Sequence, residues 1–221
     1  MSSSSAINTW IFDLDNTLYS ANLGVFDQID ARMKAFVARE LDLTPDEAFK
    51  LQKKYFHAHG TTLRGLMLNH GTDPDRFLDF VHDIDHDVLD ADHRLDKAIA
   101  ALPGRKLVFT NGTAYHARRV IERLGVTRHI EAIFDIRSAD YLPKPSAEPY
   151  DKLLREHAVT PQCAAMFEDS LANLKPAAAW GMTTVWVRHA VEVHRNDGGH
   201  EHCHHVTEDL TGWLETVALK L

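Results

Sequence analysis

The stretch IFDLDNTLY, residues 11–19, sets two carboxylates two residues apart at the end of an apolar run. The overlapping stretch INTWIF, residues 7–12, is rich in β-branched and aromatic residues, which predicts a strand covered on both faces. Because successive side chains of a strand alternate between its faces, Asp13 and Asp15 are expected to project in the same direction. Two neighbouring carboxylates repel each other and resist loss of water, so this strand end must meet a positive group.

The composition is that of an ordinary globular protein, and it restricts the possible partners. The 221 residues are 44% hydrophobic and 25% charged, enough for one domain or one domain with an insert. A net charge of -8 argues against binding to nucleic acid polymers or to an anionic membrane surface. The chain shows no apolar run of the ~18 residues that a membrane helix needs, no secretion signal and no disulfide framework. We therefore expect a cytoplasmic monomer or homodimer that acts on a small molecule.

Short apolar runs alternate along the chain with helix-period segments. Residues 114–125, for example, place Ala117, Val120 and Ile121 on one stripe and end at Gly125. Strands and helices in this order predict βαβ units and a parallel sheet, whose ligands bind beyond the carboxyl ends of the strands. Polar or acidic clusters stand at those ends. The later runs with their clusters are KLVFTNG at 106–112, AIFDI at 132–136, AAMFEDS at 164–170 and TTVWVRH at 183–189.

One interval breaks the alternation, because about 80 residues separate the first strand from the second, far more than the ~2–6 of a usual strand-to-helix loop. Its pattern is helical, and TPDE at 44–47 predicts a helix start capped by Thr44 and Glu47. A helical cap in this place excludes water and selects substrates. The expected domains are a core of residues 1–19 and 103–221 and a cap of residues 20–102.

The polar clusters together supply the parts of one reaction. Transfer of a phosphoryl group to a carboxylate needs a nucleophile, an acid, a divalent cation and a clamp for the phosphate. One acidic residue at a strand end is usually a turn or capping residue, but such groups on consecutive strand ends indicate a shared site. The candidate residues are Asp13, Asp15, Thr110, Asn111, Lys144, Glu168 and Asp169.

These residues stand in four motifs that resemble those of the haloacid dehalogenase (HAD) superfamily. In the superfamily's order, and over nearly the whole chain, they are DLDNTLY at 13–19, FTNG at 109–112, KPSAEPY at 144–150 and FEDSLANL at 167–174. The resemblance implies an α/β fold with a Rossmann-like core, a parallel sheet and an inserted α-helical cap of the first type. It also implies Mg²⁺-dependent hydrolysis of phosphomonoesters.

The resemblance further implies a role for each core residue. Asp13 is the nucleophile that becomes an aspartyl phosphate, and Asp15 protonates the leaving oxygen and later activates water. Dehalogenases of the superfamily lack a second aspartate in this place, so Asp15 favours phosphoryl chemistry over carbon–halogen cleavage. Thr110 and the region of Asn111 clamp the phosphoryl oxygens, and Lys144 bridges them to Asp13.

The Mg²⁺ ligands implied by the resemblance are the Asp13 and Asp169 carboxylates and the Asp15 backbone carbonyl, with Glu168 acting through a water. The charges agree, because each phosphate–carboxylate pair repels by about 4 kcal/mol at about 4 Å and an effective dielectric near 20. Mg²⁺ with Lys144 supplies three compensating charges. A proton on Asp15 suits the arrival of the substrate, so we expect its neighbours to raise its pKa.

The cap segment YFHAHGTTLRGLM, residues 55–67, mixes aromatic and polar residues around two glycines, unlike a buried helix. This segment and NLKPA at 173–177 resemble the pyrimidine 5'-nucleotidase branch of the superfamily, which implies a substrate such as UMP or CMP. An aromatic ring would stack on the base, and polar side chains would bind base and sugar. A hinge in the cap is the alternative role. The candidate substrate-binding residues are Tyr55, His59, Thr61, Thr62 and Arg64.

Other functions stay open at this stage. The core motifs alone do not separate a nucleotidase from a sugar-phosphate phosphatase or a phosphomutase. The tract HEHCHH, residues 200–205, suits a non-catalytic metal-binding protein built on a retired phosphatase core. His200, His202 and His204 share one face of this tract if it is extended, but an exposed loop is the favoured interpretation.

Overall fold

The computed structural model describes residues 6–189 and 200–219, and within these ranges the strands form one parallel sheet. The strands are β1 (Thr9–Phe12), β2 (Arg105–Phe109), β3 (Ala132–Phe134), β4 (Ala164–Glu168), β5 (Thr183–Val187) and β6 (His205–Thr207). Their order is β3-β2-β1-β4-β5-β6, with every neighbouring pair parallel. The predicted α/β fold with a parallel sheet is therefore confirmed.

Helices connect the strands and fill the long interval after β1. The helices of the interval are α1 (Val25–Leu41), α2 (Pro45–His59), α3 (Thr62–His70), α4 (Pro74–Val81) and α5 (His93–Ala101). Those that follow are α6 (Ala114–Arg123), α7 (Ala147–Glu156), α8 (Leu171–Ala179) and α9 (Leu210–Ala218). None of the helices in the described ranges has the length and hydropathy needed to cross a membrane.

The central strand β1 is buried on both faces, as its composition predicts. Trp10 and Phe12 belong to one apolar cluster, whereas Ile11 belongs to a second cluster on the opposite face of the sheet. All three side chains are fully buried, and burial of a side chain of this size is worth about 1.5–3 kcal/mol. The strand is therefore a rigid base for the residues that follow it.

Register brings the polar clusters to one edge of the sheet. Phe12 pairs with Val108 of β2 and with Phe167 of β4, so the three strands end at nearly the same level. The backbone N–H of Asp13 continues the ladder by donating to the Phe167 carbonyl at 2.9 Å. The motifs that follow these strands consequently meet at one place.

The cap helices α1 to α4 share an apolar cluster of their own. Phe36 of α1 lies at its centre, fully buried, with its ring edge-on to Phe77 of α4 at 5.1 Å. The predicted capping box at the start of α2 is present, because Thr44 and Glu47 each accept a hydrogen bond from the other's backbone N–H. The cap thus has a cluster distinct from the two clusters of the sheet, although Ile136, which follows β3, is buried in it.

Helix α5 packs with the core, although the predicted cap of residues 20–102 includes it. Its residues Leu95 and Ala98 belong to the same cluster as Trp10, and Arg94 beside them pairs with Glu215 of α9 at 2.7 Å. An amphipathic stripe predicts a buried face but does not say which neighbour covers it. The cap boundaries stay a prediction.

We predict that Gly65→Ala destabilises the protein although alanine is the better helix former. A methyl group at Gly65 in α3 would overlap Cβ and Cγ of Tyr55, so α2 and α3 must separate, and such overpacking costs about 1–3 kcal/mol. Leu68→Ala in the same helix is the control, because the Leu68 side chain is 57% exposed and its replacement introduces no overlap. Urea unfolding should show a loss of stability for Gly65→Ala only. Equal stabilities would contradict the close packing of α2 on α3.

Candidate active site

Asp13, the first residue after β1, is held beside a buried lysine. Lys144 Nζ donates to Asp13 Oδ1 at 2.7 Å, to Glu168 Oε1 at 2.7 Å and to the Phe109 carbonyl at 2.8 Å. The lysine side chain is 1% exposed, so these three acceptors replace the water that its ammonium loses. Thr17 donates to the second Asp13 oxygen at 2.9 Å. Both oxygens of the predicted nucleophile are therefore oriented.

Two carboxylates share this one ammonium group. Burial raises the pKa of Asp13 to about 7, the negative charge of Glu168 adds to the rise, and Lys144 opposes it. Burial alone would lower the pKa of Lys144, but Asp13 and Glu168 outweigh that effect and raise it. The site consequently holds more negative than positive charge, which favours a second cation.

Oxygen donors for such a cation are present. Carboxylate oxygens of Asp13, Glu168 and Asp169 all lie within 4.8 Å of one another. In the described ranges this is the one group of at least three histidine, cysteine or acidic side chains with that geometry. A cluster of carboxylates suits a hard divalent cation such as Mg²⁺. Glu168 also accepts from Asn173 at 2.7 Å and from the Ser170 backbone at 2.8 Å, so its oxygens are already hydrogen-bonded.

Asp15 lies in a different environment from Asp13. Its Oδ1 accepts from the Tyr19 hydroxyl at 2.5 Å and is hydrogen-bonded to His116 Nε2 at 2.8 Å. Burial alone would raise the pKa of Asp15, but the charge of His116 and the two hydrogen bonds lower it to about 2. The expectation of a raised pKa is therefore wrong for the free protein, since the decisive partner lies 101 residues away in the sequence.

The second motif positions both the clamp and the lysine. Thr110 is buried, and its hydroxyl accepts from the Gly112 backbone at 2.8 Å. The Asn111 side chain donates to the Lys144 carbonyl at 3.2 Å and accepts from the Lys144 N–H at 2.8 Å. The predicted clamp residue Asn111 thus fixes the backbone of the loop that carries Lys144.

A cavity of about 1130 Å³ lies between this edge of the sheet and the cap. All the predicted core residues line it, and so do three of the five predicted cap residues. Tyr55 and Arg64 do not line it. The predicted residues on its wall are Asp13, Asp15, Thr110, Asn111, Lys144, Glu168 and Asp169 from the core, and His59, Thr61 and Thr62 from the cap.

With this geometry in place, comparison with known proteins gives a direct result. The family of haloacid dehalogenase-like hydrolases matches residues 7–181 of the chain. The chain belongs to this family. The HAD hydrolase is 26% identical to Phosphate metabolism protein 8 of Saccharomyces cerevisiae over 194 residues, which cover 80% of this chain and 60% of the yeast protein. It therefore spans about three fifths of the length of that relative.

Solved structures share the fold of this HAD hydrolase. L-2-haloacid dehalogenase from Xanthobacter autotrophicus matches with a TM-score of 0.60 and 16% identity, over 96% of this chain and 98% of its own. A HAD phosphatase from Thermococcus onnurineus matches with a TM-score of 0.62 and 16% identity, again over 96% and 98%. At these identities the likeness shows the fold alone. Because a dehalogenase and a phosphatase both match, the fold does not decide the reaction.

The structure gives Tyr55 and Arg64 positions other than those predicted. Tyr55 is buried, its ring lies against Gly65, and its hydroxyl is hydrogen-bonded to His70 Nε2 at 2.6 Å. Arg64 lies in the first turn of α3, where its N–H donates to the capping hydroxyl of Thr61 at 3.1 Å. Neither residue lines the cavity, so their positions give no support to the prediction that these two contact the substrate, and it stays a prediction. The composition of a segment does not say which face of each helix meets the cavity.

Other residues of α2 line the cavity instead. Phe56 is 46% exposed and belongs to the cavity wall, together with Gln52, Lys53 and His57. These positions are spaced as on one face of a helix, whereas Tyr55 lies on the face that packs against α3. Helical spacing is the signal that distinguishes the two faces, once one cavity residue is known.

The histidines of the tract at 200–205 do not converge on one point within the described ranges. His200 lies edge-on to the Trp186 ring at 5.1 Å, His202 Nε2 is 2.7 Å from the Leu171 carbonyl, and His204 Nδ1 is 2.7 Å from the Thr184 hydroxyl. Each histidine thus has a separate protein partner. The alternative of a metal-binding protein built on this tract gains no support.

Proposed function

We propose that this HAD hydrolase is a Mg²⁺-dependent phosphomonoester hydrolase that acts through an aspartyl phosphate and prefers pyrimidine 5'-nucleotides such as UMP and CMP. The observation that carries the proposal is the contact of Lys144 with Asp13, which orients a carboxylate beside an excess of negative charge. A cation and a phosphate dianion together complete that charge balance. Asp15, absent from the superfamily's dehalogenases, favours phosphorus over carbon as the site of attack.

The chain's residues divide the reaction into two half-reactions. In the first, an Asp13 oxygen attacks phosphorus, the bond from phosphorus to the leaving oxygen breaks, and Asp15 gives that oxygen a proton. In the second, Asp15 takes a proton from water, whose oxygen attacks phosphorus and releases Asp13 and inorganic phosphate. Mg²⁺ would be held by the Asp13 and Asp169 carboxylates and the Asp15 carbonyl, with Glu168 acting through a water. When bound, it would neutralise the charge of the phosphoryl oxygens.

The low pKa of Asp15 in the free protein fits the second half-reaction directly, because water is activated by a carboxylate. The first half-reaction needs Asp15 protonated. A bound phosphate dianion places negative charge beside Asp15 and thereby raises its pKa. Substrate binding and proton uptake at Asp15 are therefore linked in this proposal.

Selection among leaving groups falls to the cap, since the core contacts only phosphate and metal. The half-exposed ring of Phe56 offers a face on which a base can stack. Gln52 donates its amide to Asp30 at 2.7 Å, and no hydrogen bond reaches its buried Oε1 from the described residues. Because that oxygen is enclosed, a base would reach it only if the side chains around Gln52 moved, and it is therefore no preformed acceptor. His59, Thr61 and Thr62 add polar groups for base and ribose.

We expect phosphate release from p-nitrophenyl phosphate that stops on chelation with EDTA and returns with Mg²⁺ but not with Ca²⁺. Ca²⁺ is larger and does not impose octahedral geometry on the phosphate. Asp13→Asn should lower kcat by more than ~10³-fold, as loss of a nucleophile does elsewhere. Asp27→Asn removes an exposed carboxylate outside the cavity and serves as the matched control. An active Asp13→Asn enzyme would end the covalent mechanism.

Phe56→Ala should lower kcat/KM for UMP and CMP about tenfold, because stacking of a base on an aromatic ring is worth ~1–3 kcal/mol. Ribose 5-phosphate has no base, so its kcat/KM should hardly change. Phe49→Ala is the control, since Phe49 is an exposed ring of α2 outside this cavity. If the parent protein prefers purine nucleotides or sugar phosphates, the pyrimidine assignment fails while the phosphatase assignment survives.

A further inference from the structure

Asp15 is held by one oxygen only. Within the described residues, the hydrogen bonds to its side chain come from Tyr19 and His116, and both reach Oδ1, at 2.5 and 2.8 Å. A carboxylate held at one oxygen by two groups in fixed directions has lost rotation about its terminal torsion. The second oxygen, Oδ2, is then the one available for proton exchange with the cavity that Asp15 lines.

His116 is itself locked in place. It lies in the first turn of α6, is fully buried, and its Nδ1 is hydrogen-bonded to His86 Nε2 at 2.9 Å. The ring of His82 stacks on it with centroids 4.9 Å apart and an angle of 18° between the planes. The contact with His86 occupies Nδ1 and the stacked ring restricts rotation, so Nε2 stays directed at Asp15.

The histidines around Asp15 come from two different parts of the fold. His116 belongs to the core helix α6, whereas His82 and His86 follow α4, where the chain leaves the cap. A buried histidine is usually no more than a satisfied part of a core. This one bridges a carboxylate of the cavity and the segment that connects cap to core, and an apolar side chain would fill the same space without three polar contacts.

We propose that His116 is a positioning residue for Asp15. Supported by His86, it holds Oδ1 so that Oδ2 gives its proton to the leaving oxygen as the bond to phosphorus breaks. Oδ2 then takes a proton from the attacking water as the new bond to phosphorus forms. His116 itself exchanges no proton with the substrate or the water in this scheme. This inference rests on the proposed phosphatase function, and it concerns only how Asp15 is aimed.

The test compares leaving groups in two variants. His116→Met fills the space without a donor, and His116→Gln restores an N–H in place of Nε2. p-Nitrophenolate leaves without a proton, whereas the ribose oxygen of UMP needs one. We compare kcat/KM, which covers the steps up to departure of the leaving group, because kcat also contains hydrolysis of the intermediate and should fall for both substrates. His116→Met should lower kcat/KM for UMP by ~10²-fold, within the range of general acid–base catalysis, and kcat/KM for p-nitrophenyl phosphate by less than ~3-fold. His116→Gln should recover most of the UMP activity, with KM unchanged.

His129→Met is the matched control, because His129 Nε2 lies 2.8 Å from Asp96 in a second histidine–aspartate pair outside the cavity. It should leave the ratio of kcat/KM for UMP to kcat/KM for p-nitrophenyl phosphate at the parental level. If His116→Met does not fold, His86→Met tests the same inference, because it removes the partner of His116 Nδ1. It should lower the same ratio by a smaller factor. Adding His116→Met to Asp15→Asn should cause no further loss, since the histidine acts through that carboxylate.

Equal losses for both substrates, or a His116→Gln enzyme no better than His116→Met, would overturn the positioning role and leave the phosphatase function intact. If UMP is not a substrate of the parent protein, the alkyl phosphate that it hydrolyses fastest takes its place. A parent protein that releases no phosphate from either class of ester would overturn the proposed function, and this inference would fall with it.

Discussion

The site depends on one buried ammonium group. Lys144 is almost fully enclosed, and its three hydrogen bonds to Asp13, Glu168 and the Phe109 carbonyl replace its lost hydration. Removing one partner of such a buried pair costs ~3–5 kcal/mol, because the other charge is left unpaired. Its position is secured in turn by Asn111, which binds the lysine backbone from the end of β2. The ammonium balances the charge of one carboxylate in the cluster of Asp13, Glu168 and Asp169, and the two remaining charges favour a bound cation.

Two carboxylates two residues apart acquire different properties from their surroundings. Burial and Glu168 raise the pKa of Asp13 to about 7, whereas His116 and Tyr19 hold the pKa of Asp15 at about 2. A raised pKa for Asp13 marks a carboxylate that is costly to ionise without a cation nearby. In the proposed mechanism, metal binding and activation of the nucleophile are therefore coupled at Asp13, while the proton transfers take place at Asp15. Dehalogenases share this fold. In the proposed function, the reaction is therefore decided by these side-chain contacts and not by the fold alone.

The strand ends and their polar residues were predictable, because apolar period and residue type are local properties of the sequence. The orientation of the Asp15 side chain was not predictable, because its partner His116 is distant in the chain and nothing in the sequence near either residue indicates the contact. The cap was predicted as helical, but the positions of Tyr55 and Arg64 depend on how α2 and α3 pack together. Long-range packing decides which face of a helix meets the cavity, and local pattern does not contain that information.

The central claim is that Asp13, hydrogen-bonded to Lys144, is the nucleophile that receives the phosphoryl group. Acid quenching during turnover, followed by borohydride reduction, converts an aspartyl phosphate to homoserine, which peptide mass spectrometry locates. With p-nitrophenyl phosphate as the substrate, the account predicts homoserine at position 13. The yield should be greater with Asp15→Asn, because p-nitrophenolate leaves without a proton whereas hydrolysis of the intermediate still needs Asp15. Continued phosphate release with position 13 unmodified in both proteins would contradict it.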